Sequence, residues 1–128
     1  MQSYFRVAQL APRSRQVPAL VKHVVLECRG IPAAKITHEK LKEFAESFCE
    51  RFNLHIVTNY DHRFSPYGST IVYVLEESHL AIHSWPEHGY IHCDIVTCAP
   101  NDLSFSELKA FISSSLMPKA TDILRLRY

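Results

Sequence analysis

Residues 75–87 constrain the fold of this 128-residue chain more than any other segment. The segment holds two adjacent glutamates, a serine and two histidines, and apolar, β-branched runs flank it at 70–75 and 90–98. Strands joined by short turns pair as antiparallel hairpins, so this region predicts a series of hairpins. Polar groups within a half-buried strand are costly unless they are hydrogen-bonded, so a strand that carries this many favours a functional role. We therefore take 75–87 as the candidate functional segment.

Hydrophobic periodicity and turn residues place the other elements. Thr37 can cap a first helix, whose apolar residues recur at helical spacing as far as Phe52. Ser104 and Glu107 have the spacing of a capping box at the start of a second helix. Residues 1–20 predict only an arm or a short strand. Strands are predicted at 22–28, 54–60, 70–75, 79–85 and 90–98, with a final edge strand at 122–127.

This order of elements favours an α+β fold. The economical arrangement is a two-layer sandwich, with a mainly antiparallel sheet and two helices packed on one face. The length fits a single domain, residues 1–128. A chain this short leaves much apolar surface exposed, so a dimer that buries more of it is expected.

Charge and composition exclude several partners. The formal net charge is +1 and no basic tract stands out, so neither nucleic acid nor a membrane surface is expected to bind. No run is long and apolar enough to span a bilayer, and the first residues lack the order of a signal peptide. The four cysteines show no Cys-x-x-Cys spacing. We therefore expect a cytoplasmic protein with reduced thiols.

Histidines and cysteines also raise the question of a metal. The candidate ligands are His79, His83, His88, His92, Cys93 and Cys98. Residues four apart on a strand lie about 13 Å apart, which is too far for one ion. Without closely spaced cysteines either, the pattern predicts no metal site.

A block of short motifs identifies a family. Glu77-Ser78-His79 is followed by Ile-His-Ser-Trp-Pro-Glu at 82–87, with Phe-x-Pro-x-Gly-x-Thr at 64–70 before it and Asp-x-x-Thr-Cys at 94–98 after it. The block resembles the short prokaryotic form of S-adenosylmethionine decarboxylase. Enzymes of that form cleave themselves before a serine and use the resulting pyruvoyl group as cofactor. The resemblance therefore implies a cut between Glu77 and Ser78, giving a β chain 1–77 and an α chain 78–128.

The resemblance implies a role for each matching residue in processing and turnover. Ser78 is the pyruvoyl precursor, His83 the base for processing, and Thr70 a hydroxyl that assists it. Cys98 is the proton donor in catalysis, and only the backbone of Glu77 is required. The pyruvoyl carbonyl would form a Schiff base with the substrate amine and accept the electrons released with carbon dioxide.

The resemblance also implies the substrate and the assembly. Phe64 and His83 would stack on adenine and Glu87 would bind the ribose hydroxyls of S-adenosylmethionine, whose decarboxylated form donates aminopropyl groups in spermidine and other polyamine synthesis. A homodimer of processed pairs is expected. Arginine or ornithine as substrate, or an uncleaved regulatory partner of the same fold, remain alternatives. Ser78 and His83 have opposite strand parity, so a regular strand would turn them to opposite faces.

Overall fold

A computed structural model describes residues 4–9, 20–98 and 103–126 of the chain. Its strands are β1 Tyr4–Gln9, β2 Val21–Arg29, β3 Ile56–Arg63, β4 Ser69–Leu75, β5 Ser78–Trp85, β6 Tyr90–Cys98 and β7 Ala120–Leu126, and its helices are α1 His38–Arg51 and α2 Phe105–Leu116. Two short 3-10 turns, Ala33–Lys35 and Pro86–His88, complete the elements. No helix within these ranges is long and apolar enough to cross a bilayer.

The strands form one seven-stranded sheet in the order β1-β7-β2-β6-β5-β4-β3. Every neighbouring pair is antiparallel except β1 and β7, which run parallel. The helices lie side by side on one face, where Phe44 of α1 and Phe111 of α2 have ring centroids 5.6 Å apart. The expected α+β sandwich, with a mainly antiparallel sheet and both helices on one face, is confirmed.

The predicted edge position of the last strand is wrong. β7 lies between β2 and β1, and the amide of Tyr4 donates to the carbonyl of Lys119 at 3.0 Å where β1 begins. The alternation in β7, where Thr121 and Ile123 are buried, shows which face of the strand is covered, and it does not distinguish an edge strand from an inner one. Its partner β1 lies in the N-terminal segment, where the sequence predicts no more than an arm or a short strand, and residues 1–3 and 10–19 are outside the described part.

Local hydrogen bonds explain where α1 and β3 begin. The hydroxyl of Thr37 accepts the amide of Lys40 at 3.2 Å, so the predicted cap is confirmed. After α1, the amide of Leu54 donates back to the carbonyl of Cys49 at 2.7 Å. This bond keeps Leu54 with the helix, and β3 begins two positions later than predicted, at Ile56.

The capping box predicted for α2 is wrong. Ser104 occupies the N-cap position, but its hydroxyl contacts the hydroxyl of Ser106 at 3.0 Å and makes no capping bond. The helix ends at Leu116, where Met117 adopts a left-handed φ of 50° and Pro118 follows. A left-handed residue and then a proline terminate a helix because neither continues its backbone hydrogen bonds.

The core lies between the helices and one face of the sheet. Strand residues facing the helices are buried in alternation, including Leu80 and Ile82 of β5 and Cys93 of β6. The buried Tyr73 of β4 donates its hydroxyl to the carboxylate of Glu46 at 2.8 Å, which ties α1 to the sheet. The opposite face of the sheet, called the open face below, carries no helix among the described elements.

Candidate active site

A two-residue turn brings the predicted cleavage site to the end of a hairpin. Leu75 of β4 pairs with Ser78 of β5, so Glu76 and Glu77 alone form the turn. Glu77 has a left-handed φ of 58°, a conformation that costs a residue with a side chain about 1–2 kcal/mol. The hydroxyl of Ser78 donates to the carbonyl of Glu76 at 3.2 Å. The peptide bond between Glu77 and Ser78 therefore follows a strained residue.

The pairing of β5 with β6 sets Glu77 against Cys98. His79 pairs with Val96, and continuing this antiparallel register puts Ser78 opposite Thr97 and Glu77 opposite Cys98. The turn, the end of β6 and the loop after α1 surround a cleft of about 640 Å³. Its lining residues are Asn53, Leu54, His55, Glu76, Glu77, Ser78, Thr97 and Cys98.

Cys98 differs from the other three cysteines. Cys28, Cys49 and Cys93 are buried, whereas Cys98 is half-buried and faces the cleft. A hydrogen bond to the Glu77 carboxylate, then burial and the charge of Glu77, raise the pKa of the Cys98 thiol. A thiol beside a carboxylate keeps its proton, which is the state that a proton donor requires.

Thr70 and His83 meet at a second place on the sheet. They pair across β4 and β5, and the hydroxyl of Thr70 lies 3.1 Å from Nδ1 of His83. Both side chains point to the open face, where the ring of His92 is 6.3 Å from that of His83. A histidine with a fixed hydroxyl partner has a defined ring orientation, as a base needs.

One chain does not bring Ser78 and His83 together. Five residues of strand separate them by about 17 Å. Ser78 lies on the face of Leu80 and Ile82, whereas His83 lies on the open face. The conflict of parity predicted from the sequence is therefore present in the structure.

Ser78 and Cys98 form one group of predicted site residues, called the cleavage cluster below.

Phe64 and Glu87 lie at the other end of the hairpin, with Thr70 and His83. These four residues are called the base cluster below. Phe64 is 52% exposed and its ring meets that of His62 edge-on at 4.6 Å. Glu87 is exposed in the 3-10 turn that follows β5. Pro86 of this turn and Phe64 line the same cavity, which measures about 280 Å³.

Gly68 shapes the loop that carries Phe64. The amide of Phe64 donates to the carbonyl of Gly68 at 2.9 Å, and Gly68 has φ 103°. A Cβ at this position would lie 3.2 Å from the carbonyl oxygen of Ser84. Both the conformation and the close approach to β5 therefore require glycine.

A buried polar network beneath the base cluster was not predicted from the sequence. The Nε2–H of His38 donates to the carboxylate of Asp61, and its Nδ1 lies 2.7 Å from the hydroxyl of Ser69. The amide of Ser69 donates in turn to the hydroxyl of Ser84 at 3.0 Å. The residues His38, Ser69 and Ser84 are nearly inaccessible, with exposed fractions of 8%, 5% and 6%.

This network fixes the residues next to Thr70 and His83 in their strands. Ser69 precedes Thr70 in β4, and Ser84 follows His83 in β5. Because buried polar groups are costly unless all are bonded, the network favours one relative position of the two strands. No local sequence signal identifies it, since its members come from α1, β3, β4 and β5.

The histidines and cysteines that were considered as metal ligands form no cluster among the described residues. On the open face Asp94 lies between His23, at 2.5 Å, and His79, at 3.5 Å. Within residues 4–9, 20–98 and 103–126, no group of three or more histidine, cysteine or acidic side chains has the geometry to hold a metal ion.

The fold and the hairpin define the class of protein first. It is a two-layer α+β sandwich that presents a serine, a left-handed residue before it and a half-buried thiol in one cleft. A profile of the S-adenosylmethionine decarboxylase family matches residues 22–127. The chain therefore belongs to the S-adenosylmethionine decarboxylase family, and the resemblance carried by residues 64–98 is confirmed.

Individual relatives agree with this assignment. The S-adenosylmethionine decarboxylase proenzyme of Sulfurihydrogenibium sp. is 38% identical over 101 residues, which are 78% of this chain and 75% of that protein. The proenzyme of Methanococcus maripaludis is 35% identical over 116 residues, 84% of this chain and 88% of that one. The crystal structure of the adenosylmethionine decarboxylase from Aquifex aeolicus matches with a TM-score of 0.71 at 30% identity, covering 85% of this chain and 90% of that one.

The network predicts a specific dependence of stability on pH. The hydrogen bond from His38 lowers the pKa of Asp61 below its usual value of about 3.9. A carboxylate with a depressed pKa in the folded state stabilises that state above its unfolded pKa, and this contribution is lost as the pH falls through the folded pKa. In urea unfolding, Asp61→Asn should be less stable than the parent at pH 6, and the difference should shrink at pH 3.

Glu50→Gln is the control for this experiment, because Glu50 is an exposed residue on α1. Its difference from the parent should be small at both pH values. An Asp61→Asn difference of the same size at pH 6 and pH 3 would contradict a role for the ionised carboxylate.

Proposed function

We propose that this chain cuts itself between Glu77 and Ser78, and that the matured enzyme decarboxylates S-adenosylmethionine. The observation that carries the proposal is the left-handed Glu77, which precedes Ser78 and lies opposite Cys98 in a cleft. The family of the chain supports the same reaction, since its relatives carry the name S-adenosylmethionine decarboxylase proenzyme.

The self-cleavage consumes one water molecule and no other reagent from outside the chain. The hydroxyl of Ser78 attacks the carbonyl carbon of Glu77, and the peptide becomes an ester when the C–N bond breaks. Removal of the Cα proton of Ser78 then expels the Glu77 carboxylate and leaves dehydroalanine. Hydrolysis releases ammonia and leaves a pyruvoyl group at the start of the α chain, 78–128. The strained φ of Glu77 lies in the residue directly before the bond that breaks, so cleavage can relieve it.

The residues around Ser78 fit a pyruvoyl group. The cleft is large enough for a substrate to enter beside the hairpin turn, and Cys98 lines it. A pyruvoyl group supplies a carbonyl that captures a substrate amine and accepts the electrons released with carbon dioxide. Cys98 then gives its proton to the carbon that lost the carboxylate. Its raised pKa keeps this proton on sulfur until that step.

The separation of the two clusters favours a site shared between two copies of the chain. His83 is about 17 Å from Ser78 along its own strand, so it cannot take the Ser78 proton within one chain. A two-fold axis that lies between two open faces, perpendicular to the strands, would bring the hairpin turn and Cys98 of one copy towards the base cluster of the other. Ser78 begins β5 directly after this turn. Such an interface is isologous, and it completes two sites at once.

The composition of the open face is suited to such a dimer. Its apolar side chains come from five strands and include Val21, Val25, Val72, Val74, Ala81, Trp85, Val96, Leu124 and Leu126. Its charges are largely paired, with Arg29 bound to Glu27 at 2.7 Å and to Asp122 at 3.1 Å. Apolar surface with internally paired charges is what a homodimer interface buries.

The base cluster favours a nucleoside-containing substrate. Phe64 offers an exposed ring for stacking on adenine, and Glu87 offers an exposed carboxylate for the two ribose hydroxyls. Arginine and ornithine have neither a nucleobase nor a ribose, so Phe64 and Glu87 would have no group to bind in either substrate.

Complementation between two inactive chains tests the shared site. His83→Ala alone should cleave itself about 10²–10⁴-fold more slowly than the parent, because the base is lost. Ser78→Ala alone should stay intact. When the two differently tagged chains are co-expressed, Ser78 of one meets His83 of the other, so the His83→Ala chain should be cleaved while the Ser78→Ala chain is not.

The control for complementation pairs His83→Ala with the double variant Ser78→Ala/His83→Ala, which restores no site. His83→Ala chains that stay uncleaved beside Ser78→Ala chains would refute the shared site. Rapid cleavage of His83→Ala on its own would remove His83 from processing.

Release of labelled carbon dioxide tests the substrate. The processed protein should decarboxylate carboxyl-labelled S-adenosylmethionine, and Phe64→Ala should weaken this activity mainly through KM, because stacking on adenine is lost. Loss of one base-stacking ring corresponds to about 1–3 kcal/mol, or roughly 5- to 150-fold. Preferential release from arginine or ornithine, unaffected by Phe64→Ala, would instead favour an amino acid decarboxylase.

A further inference from the structure

We propose that the side chain of Glu77 has a second role after the cut: it remains beside Cys98 and holds that thiol in its protonated form, ready for the proton transfer that ends each turnover. Glu77 would then be a positioning residue that acts through Cys98, whereas the sequence assigns it only a backbone role. The inference rests on the proposed function for the part that concerns turnover.

The first support is the register of the sheet. The ladder between β5 and β6 runs from Trp85↔Tyr90 to His79↔Val96, and its continuation sets Glu77 opposite Cys98. Glu77 itself lies in the turn just before β5, and it lines the same cleft as Cys98. The two side chains therefore face a common space in which they can form a hydrogen bond.

The second support is the anchoring of the segment that becomes the new C-terminus. The amide of Glu76 donates to the carbonyl of His55 at 3.1 Å, and Leu75 pairs with Ile56 of β3. Neither contact involves Ser78 or the bond that breaks. The end of the β chain is therefore held on the β3 side of the hairpin, and Glu77 keeps its place at the cleft when Ser78 is released from it.

The third support is the charge around the thiol. The turn contributes Glu76 and Glu77, the loop after α1 contributes His55, and neighbouring β2 carries Lys22 and His23. Among these groups Glu77 has the largest effect, and it raises the pKa of Cys98 through a hydrogen bond and through its charge. A carboxylate only accepts hydrogen bonds, so this bond exists only while the sulfur carries its proton.

The cut itself strengthens the effect. It adds the α-carboxylate of Glu77 to the side-chain carboxylate, and both charges are negative. When Cys98 acts, its S–H bond breaks, the proton forms the new C–H bond, and the electron pair stays on sulfur as a thiolate. Two adjacent carboxylates disfavour this thiolate, so sulfur regains a proton from water for the next cycle.

The test measures the ionisation of the thiol directly. Processed parent, Glu77→Gln and Glu76→Gln proteins are alkylated with iodoacetamide across a pH series, and labelling of Cys98 is read from its peptide. Only the thiolate reacts, and the other three cysteines are buried. Glu77→Gln should react at lower pH than the parent, several-fold faster at pH 8, while Glu76→Gln should follow the parent curve.

Turnover supplies the second readout. The alkaline limit of carbon dioxide release from S-adenosylmethionine should move to lower pH in Glu77→Gln, and Glu77→Asp should restore it in part. An alkylation curve for Glu77→Gln that coincides with the parent's would overturn the inference. A parent protein that never cleaves itself, or never releases carbon dioxide, would instead refute the proposed function. The two failures can be told apart, because alkylation of Cys98 requires neither reaction.

A further pair of variants covers a failure of Glu77→Gln to cleave. The same alkylation series is then run on Ser78→Ala with and without Glu77→Gln, since both chains stay intact. A shift to lower pH on loss of the carboxylate supports the contact, and coincident curves overturn it.

Discussion

The position of β5 between β4 and β6 is the constraint on which the rest of the structure depends. On one side its register pairs Thr70 with His83, and on the other it brings the hairpin turn opposite Cys98. A slip of one residue would turn every side chain of β5 to the other face of the sheet. Burial of Leu80 and Ile82 prevents such a slip, because it would expose both to the open face and bury His83 instead.

The same register is the basis for our proposal that two copies of the chain share each site. A strand keeps its two ends apart, so one hairpin can present a cleavage cluster at one end and a base cluster at the other, but cannot join them. The network of His38, Asp61, Ser69 and Ser84 stabilises only the end of the hairpin that carries the base cluster. The hairpin therefore has a rigid end with the base cluster and a strained turn at the other end. This arrangement is suited to a reaction in which one copy supplies the bond that breaks and the other supplies the base.

Much of this arrangement follows from sequence periodicity. The helix cap at Thr37, the hairpins and the opposite orientation of Ser78 and His83 all depend on local residue types and on the two-residue repeat of a strand. The contact between Glu77 and Cys98 could also have been found, because a hairpin with a turn at residues 86–89 fixes which residues lie opposite one another.

Other features depend on contacts distant in the sequence, which a single chain does not reveal. The parallel pairing of β1 with β7 joins segments more than one hundred residues apart, so the last strand was predicted at an edge that it does not occupy. The cap predicted at Ser104 failed for a local reason, because its hydroxyl bonds to that of Ser106, one residue nearer than Glu107. The His38 network required the pairing of β3 with β4 before its members could be recognised as neighbours.

The most direct test of the central proposal, self-cleavage before residue 78, is the intact mass of the purified, full-length chain. We expect two polypeptides, residues 1–77 and 78–128, with the second lighter by one ammonia than simple hydrolysis would leave it, and reactive towards carbonyl reagents. A decarboxylase preparation that consists of one uncut chain, or of a second fragment that keeps its serine, would contradict the proposal.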